Sequence, residues 1–137
     1  MTDDDRHERG MQVRRAVLGD EHVDRAVANT SPLDTDFQEY ITGSAWADVW
    51  GRDGLDRPTR SLVTIALLAA LGHEEELEMH LRAARRTGAT PEAIGEVLLH
   101  VALYAGVPAA NRAFAALKRV DAASHDHADD DGGTAHE

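Results

Sequence analysis

Glu76 and His80 stand four residues apart in the acidic stretch HEEELEMHLRAARRTG, from His73 to Gly88. Residues at i and i+4 share a helical face, so a carboxylate and an imidazole can meet there and pass a proton. An imidazole of ordinary pKa, about 6.5, suits acid–base work near neutrality. Leu77, Leu81 and Ala84 fall beside the pair, on the stripe expected to turn inward. The spacing also fits a plain internal hydrogen bond or a subunit contact. A third reading makes His73, Glu76 and His80 metal ligands. Metal-binding helices use HExxH or ExxH spacing, which HEEEL lacks, so no metal is expected.

Other candidates are arginines and polar groups on apolar stretches. Arg60, near the start of the apolar run Ser61 to Gly72, has the fork geometry to grip a carboxylate. Arg14 and Arg15 admit the same reading, and all three also read as surface arginines. His100, Tyr104 and Asn111 surround the break LHVALYAGVPAAN, where Tyr104 reads first as a core residue with a satisfied hydroxyl. No G-x-G-x-x-G, P-loop or G-x-S-x-G is present, so nucleotide and serine-hydrolase motifs are absent.

The elements that must position these residues read as helices. Apolar Met11, Val13, Val17 and Leu18 mark a first helix from Asp3 to Leu18, weakened at Gly10 and stopped by Gly19. A short helix is expected from Glu21 to Ala28. Ser31 and Pro32 should open a third that runs through Trp46 to Trp50. GRDGLD, Gly51 to Asp56, is a loop. A central helix then begins near Pro58 and closes at Gly72, and an acidic helix spans His73 to Thr87, with Gly88 as its cap. Thr90 and Pro91 start another helix, which ends near Gly106, and a last one runs from Pro108 to about Ala122. The central helix is apolar nearly all round, so neighbours or a second subunit must enclose it.

The length of 137 residues suits one domain, read as residues 1–121. Residues 122–137 are acidic and histidine-containing, without apolar periodicity, and read as a disordered tail. There His125, His127 and His136 could at most hold a metal weakly. The chain is 42% hydrophobic but only 4% aromatic, and rich in Ala, Leu and Val, which favours an all-α fold. Of the formal charge of −11, six negative charges follow the last basic residue, Arg119, leaving about −5 for the remainder. Such a balance opposes nucleic acid and anionic membrane as partners. With no Cys, thiol catalysis and disulfides are excluded. The opening MTDDDRHERG is polar throughout and the longest apolar run is too short to span a bilayer, so a cytoplasmic protein is expected.

Four blocks in order, GMQVRRAVLGDEHVDRA, AWADVWGRDGLDRPTRSLVTIALL, EEELEMHLRAA and LLHVALYAGVPAANRAF, resemble the gamma-carboxymuconolactone decarboxylases of the alkylhydroperoxidase D-like superfamily. The likeness runs from Arg9 to Leu117. The peroxidase branch carries a C-x-x-C pair where this chain has His73 and Glu76, so the departure points to the decarboxylase branch. The resemblance implies a compact bundle of six to seven helices, a ring-like homo-oligomer (trimer or hexamer) and no cofactor. It implies decarboxylation of the lactone dicarboxylate to the 4-oxoadipate enol-lactone in protocatechuate breakdown by the β-ketoadipate pathway. On that substrate, His80 would be the general acid with Glu76 orienting it, or the two roles would be reversed. Arg60, helped by Arg15, would anchor a carboxylate. Tyr104 or His80 would donate to the lactone oxygen, and Trp46 and Trp50 would wall the pocket or serve core packing or a subunit contact. A non-catalytic helical oligomer and a metal-binding protein of the same fold are the alternatives.

Overall fold

A computed structural model describes residues 2–132, with side chains to His125, and contains seven α-helices, one π-helical stretch and no strand among them. In chain order these are α1 (Asp3–Leu18), α2 (Asp20–Asn29), α3 (Thr35–Ile41), the π segment (Thr42–Trp50), α4 (Arg57–Leu71), α5 (Glu74–Thr87), α6 (Pro91–Tyr104) and α7 (Val107–Gly132). Punctuation in the sequence sets most of these limits. Thr2 and Asp5 form a capping box on α1, and Gly19 ends it at φ 91°. Asp56 caps α4, its Oδ1 accepting from the Thr59 N–H at 2.8 Å, and Gly72 and Gly88 follow α4 and α5 with positive φ.

Three elements depart from the expected pattern. Ser31 and Pro32 do not open the third helix: they lie in a turn, and α3 starts at Thr35. Beyond Ile41 the helix widens into the π segment, so the expected single helix to Trp50 has two geometries. Apolar spacing does not distinguish a π turn from an α turn over so short a stretch. α7 continues past Ala122, where the apolar pattern stops, to Gly132; no glycine or proline intervenes after Pro108. His127, His136 and the residues from 133 onward fall outside the described side chains.

The helices gather into two compact units. The first holds α1 to α3, the π segment, α4 as far as Ser61, and Ala83–Thr90; the second holds Leu62–Arg82 with α6 and α7. α4 and α5 each pass from one unit to the other, so neither unit is a separate stretch of sequence. Composition gives no sign of such a division within residues 1–121.

In the first unit α1 packs on α2 and on the π segment, burying Val13, Val17, Val23, Trp46 and Trp50. Gly10 makes the approach to the π segment possible, since a Cβ there would collide with the Thr42 carbonyl. The buried Ser61 Oγ donates to Thr87 Oγ1 at 2.6 Å, tying the start of α4 to the end of α5. In the second unit α6 packs on α7, and Ile65, Leu77, Leu81, Leu98 and Ala113 are buried. Arg119 pairs with Glu78 at 2.7 Å and Arg112 with Glu74 at 3.6 Å. Both pairs are partly exposed, so each contributes at most about 1 kcal/mol, against about 1.5–3 kcal/mol for a fully buried Leu.

Gly10→Ala separates two opposed effects. Helix propensity favours alanine by about 1 kcal/mol, but the obstacle is backbone, and overpacking of that kind costs about 1–3 kcal/mol. A net fall in the urea midpoint with an unchanged m value is expected; a rise would show that the α1 contact is looser than described.

Candidate active site

α5 owes its two-sided character to sequence spacing. Leu77, Leu81 and Ala84 recur at helical intervals and are all buried, while Glu74, Glu75, Arg82, Arg85 and Arg86 face outward. His80 falls on the inward stripe and is 7% exposed. Glu76, one turn earlier on the same helix, is exposed. His73 is exposed as well, so the three proposed metal ligands do not converge, and no group of three or more His, Asp or Glu is arranged to hold a metal among the described residues.

Tyr104 ends α6 and is 77% exposed, its ring 4.9 Å from that of the exposed His100 at 32°. The expectation of a core tyrosine is corrected: α6 buries Ile94, Leu98 and Val101, and Tyr104 lies off that stripe with Leu99 and Leu103. Glu76, His80 and Tyr104 belong to the second unit.

Arg15, Trp46 and Arg60 belong to the first. Trp46 is buried in the π segment with its ring 5.4 Å from that of Trp50. Arg60 is half-buried in the first turn of α4, and its Nη2 donates to the Arg52 carbonyl at 3.2 Å. Arg15 is held by Asp24 at 2.8 Å and by Asp20 at 3.2 Å, and these hydrogen bonds raise its pKa above the ordinary value.

The sequence alone leaves Arg14 and Arg15 equivalent, but the fold does not. Arg14 is buried, and desolvation, followed by repulsion from Arg15, lowers its pKa. A signal for this exists in the spacing: Gly10, Val13, Arg14, Val17 and Leu18 are the buried stripe of α1. A hollow of about 670 Å³ also opens in the first unit, lined by Arg9, Val13, Trp50, Arg52, Leu55 and Arg57 among others; of the first-unit residues proposed from the sequence, Trp50 lines it and Arg15, Trp46 and Arg60 do not.

The model of the carboxymuconolactone decarboxylase family matches residues 35–119. The chain is 51% identical over 113 residues to the 4-carboxymuconolactone decarboxylase of Acinetobacter baylyi, covering 82% of this chain and 84% of that protein. It is 43% identical over 111 residues to the nitrosuccinic acid decarboxylase npaB of Metarhizium robertsii, covering 78% of each. A 4-carboxymuconolactone decarboxylase of Pseudomonas putida is 50% identical over 48 residues, 35% of this chain and all of that sequence. The helical fold and these likenesses define the class: this is a carboxy-lyase. The chain belongs to the carboxymuconolactone decarboxylase family.

Exposure separates a chemical role for Glu76 from a structural one. Glu76→Gln should leave stability within about 0.5 kcal/mol of the wild type, as for other surface changes, whereas removal of the buried His80 ring should cost about 1–3 kcal/mol. Thermal unfolding of both variants, with subunit mass measured alongside, checks this. Dissociation or a lowered Tm in Glu76→Gln would assign that carboxylate to a structural contact.

Proposed function

We propose that this carboxy-lyase removes carbon dioxide from gamma-carboxymuconolactone to give the 4-oxoadipate enol-lactone, without a cofactor, in protocatechuate catabolism by the β-ketoadipate pathway. The observation that carries the reading is the 51% identity, over most of both chains, to the Acinetobacter enzyme. The substrate's chemistry explains how side chains alone suffice. The carboxylate that leaves sits on the carbon γ to the lactone carbonyl. As its bond to that carbon breaks, the electron pair moves through the ring double bond onto the carbonyl oxygen. A dienolate results, and one proton delivered to the α carbon completes the product.

The protein supplies charge, position and that proton. Arg60 anchors the carboxylate that stays. Arg15 assists by exchanging Asp20 or Asp24 for the substrate. His80, withdrawn from water between apolar neighbours, delivers the proton, and Glu76 orients it or raises its pKa. The opposite division, with Glu76 as the acid and His80 donating to the oxyanion, uses the same two groups. Tyr104 is the other donor for the lactone oxygen, and Trp46 walls the site.

Further copies of the chain complete the assembly, as a trimer or hexamer. Val63, Leu67 and Leu71 recur every four residues along α4 and are 46%, 57% and 66% exposed, and Leu99, Leu103 and Val107 are 59%, 74% and 62% exposed. So much exposed apolar surface on regular helical faces supports the reading of a subunit contact there. No helix among the described residues is long and apolar enough to cross a membrane.

The likeness to a nitrosuccinic acid decarboxylase supports a second substrate reading. Nitrosuccinate is also a dicarboxylate with a built-in electron sink, because its nitro group can accept the electron pair. The catalytic demands are the same: hold one carboxylate, release the other, deliver a proton.

Purified, metal-free protein incubated with fresh carboxymuconolactone should consume it and release carbon dioxide. No turnover by folded protein removes the reading, and turnover of nitrosuccinate alone replaces it with the second. His80→Ala and Glu76→Gln should each lower the rate roughly 10²-fold. Leu67→Glu should shift the mass measured by light scattering toward that of one chain; an unchanged mass would exclude α4 from the subunit contact.

A further inference from the structure

Arg14 is the one arginine buried among the described residues, with 6% of its surface exposed. Its neighbours along the chain are more exposed and yet supplied with acceptors. Arg6 pairs with Asp48 at 2.5 Å, Arg9 donates to the Gly51 carbonyl, Arg15 holds Asp20 and Asp24, and Arg25 holds Glu21. Arg14 makes no ion pair among the described residues. Its Nη2 donates to the neutral Gln38 Oε1 at 3.2 Å, and its Nε has no hydrogen-bond partner.

A guanidinium cannot shed its proton to escape this environment. An unpaired buried charge is destabilising, and an apolar side chain of similar length would fill the space at lower cost. Purely structural packing therefore gives no reason for an arginine here. The unused donors explain it better. Nε and Nη2 form the edge on which a guanidinium takes a carboxylate with two parallel hydrogen bonds. Nε is idle, and Nη2 has a long bond to a neutral acceptor. Gln38 is only half-buried, so its amide can swing toward solvent and yield its place to a carboxylate.

We infer that Arg14 is a carboxylate-binding residue of this enzyme, its Nε–Nη2 edge receiving one carboxylate of the substrate in exchange for the Gln38 amide oxygen. The inference rests on the reading of the substrate as a dicarboxylate. It adds to the anchor at Arg60 a carboxylate contact one residue before Arg15, whose guanidinium is already engaged by two aspartates.

Two measurements on the full chain test it. The first titrates succinate, an unreactive dicarboxylate, into ¹⁵N-labelled wild type and follows the Arg14 Nε–H resonance, assigned by its loss in Arg14→Lys. A saturable downfield shift with succinate, absent with dimethyl succinate, is expected. This does not depend on turnover, so it stands apart from failure of the lactone assay. The second compares kinetics on the lactone. Loss of charge-assisted hydrogen bonds in Arg14→Met should raise KM roughly 10- to 100-fold while kcat changes less, with partial recovery in Arg14→Lys. An Nε resonance unmoved by saturating succinate overturns the inference. So does wild-type KM in a folded Arg14→Met enzyme, or subunit dissociation in that variant together with a wild-type Nε resonance that succinate leaves unmoved, which would give the guanidinium to a partner subunit's acid. Should Arg14→Met not fold, the wild-type titration decides.

Discussion

A helix that is charged on one side and apolar on the other can withdraw an ionisable group from water only by placing it in register with the apolar side. That constraint governs the site. His80 is drawn inward because Leu77, Leu81 and Ala84 occupy the same stripe, while Glu76, one turn away, stays at the surface. The two groups experience different solvent although one helix carries both. In the proposed reaction, His80 as proton donor to a carbanion-like intermediate would benefit from this seclusion, since water is a competing partner for both the proton and the developing charge.

The same principle operates on α1 with the opposite electrical sign. Gly10, Val13, Val17 and Leu18 define its buried stripe, and Arg14 sits among them. Arg15, a single position on, turns about 100° away and reaches Asp20 and Asp24. Consecutive arginines thus acquire different characters, one saturated by acids and one kept from them. Surface ion pairs explain little of the stability, because each is partly exposed. Burial of aliphatic side chains, and close approaches such as that of Gly10 to the Thr42 carbonyl, hold the helices in place.

Much of this was legible from residue order. Glycines ended helices where expected at Gly19, Gly72, Gly88 and Gly106, each with positive φ, because few other residues adopt that conformation without strain. The loop from Gly51 to Asp56 and the start of α6 at Pro91 also follow local chemistry. Ser31 and Pro32 misled because a capping residue followed by proline also suits a turn, and Asp34 accepts from the Ser31 N–H to form one. Tyr104 misled because an aromatic residue near an apolar run is usually core, whereas here it lies on the exposed side of α6 with Leu103.

The sequence by itself determined the helical class, the helix limits marked by glycine and caps, the inward stripe of α5 and the absence of thiol chemistry, since all of these depend on side-chain identity and on spacing within a few residues. Tertiary structure alone decided that Gln38 is the side chain that reaches Arg14, that the third helix widens to π geometry after Ile41, and that Ser61 bonds Thr87. Those outcomes depend on which surfaces meet after residues distant in the chain have packed, and local spacing carries no record of that.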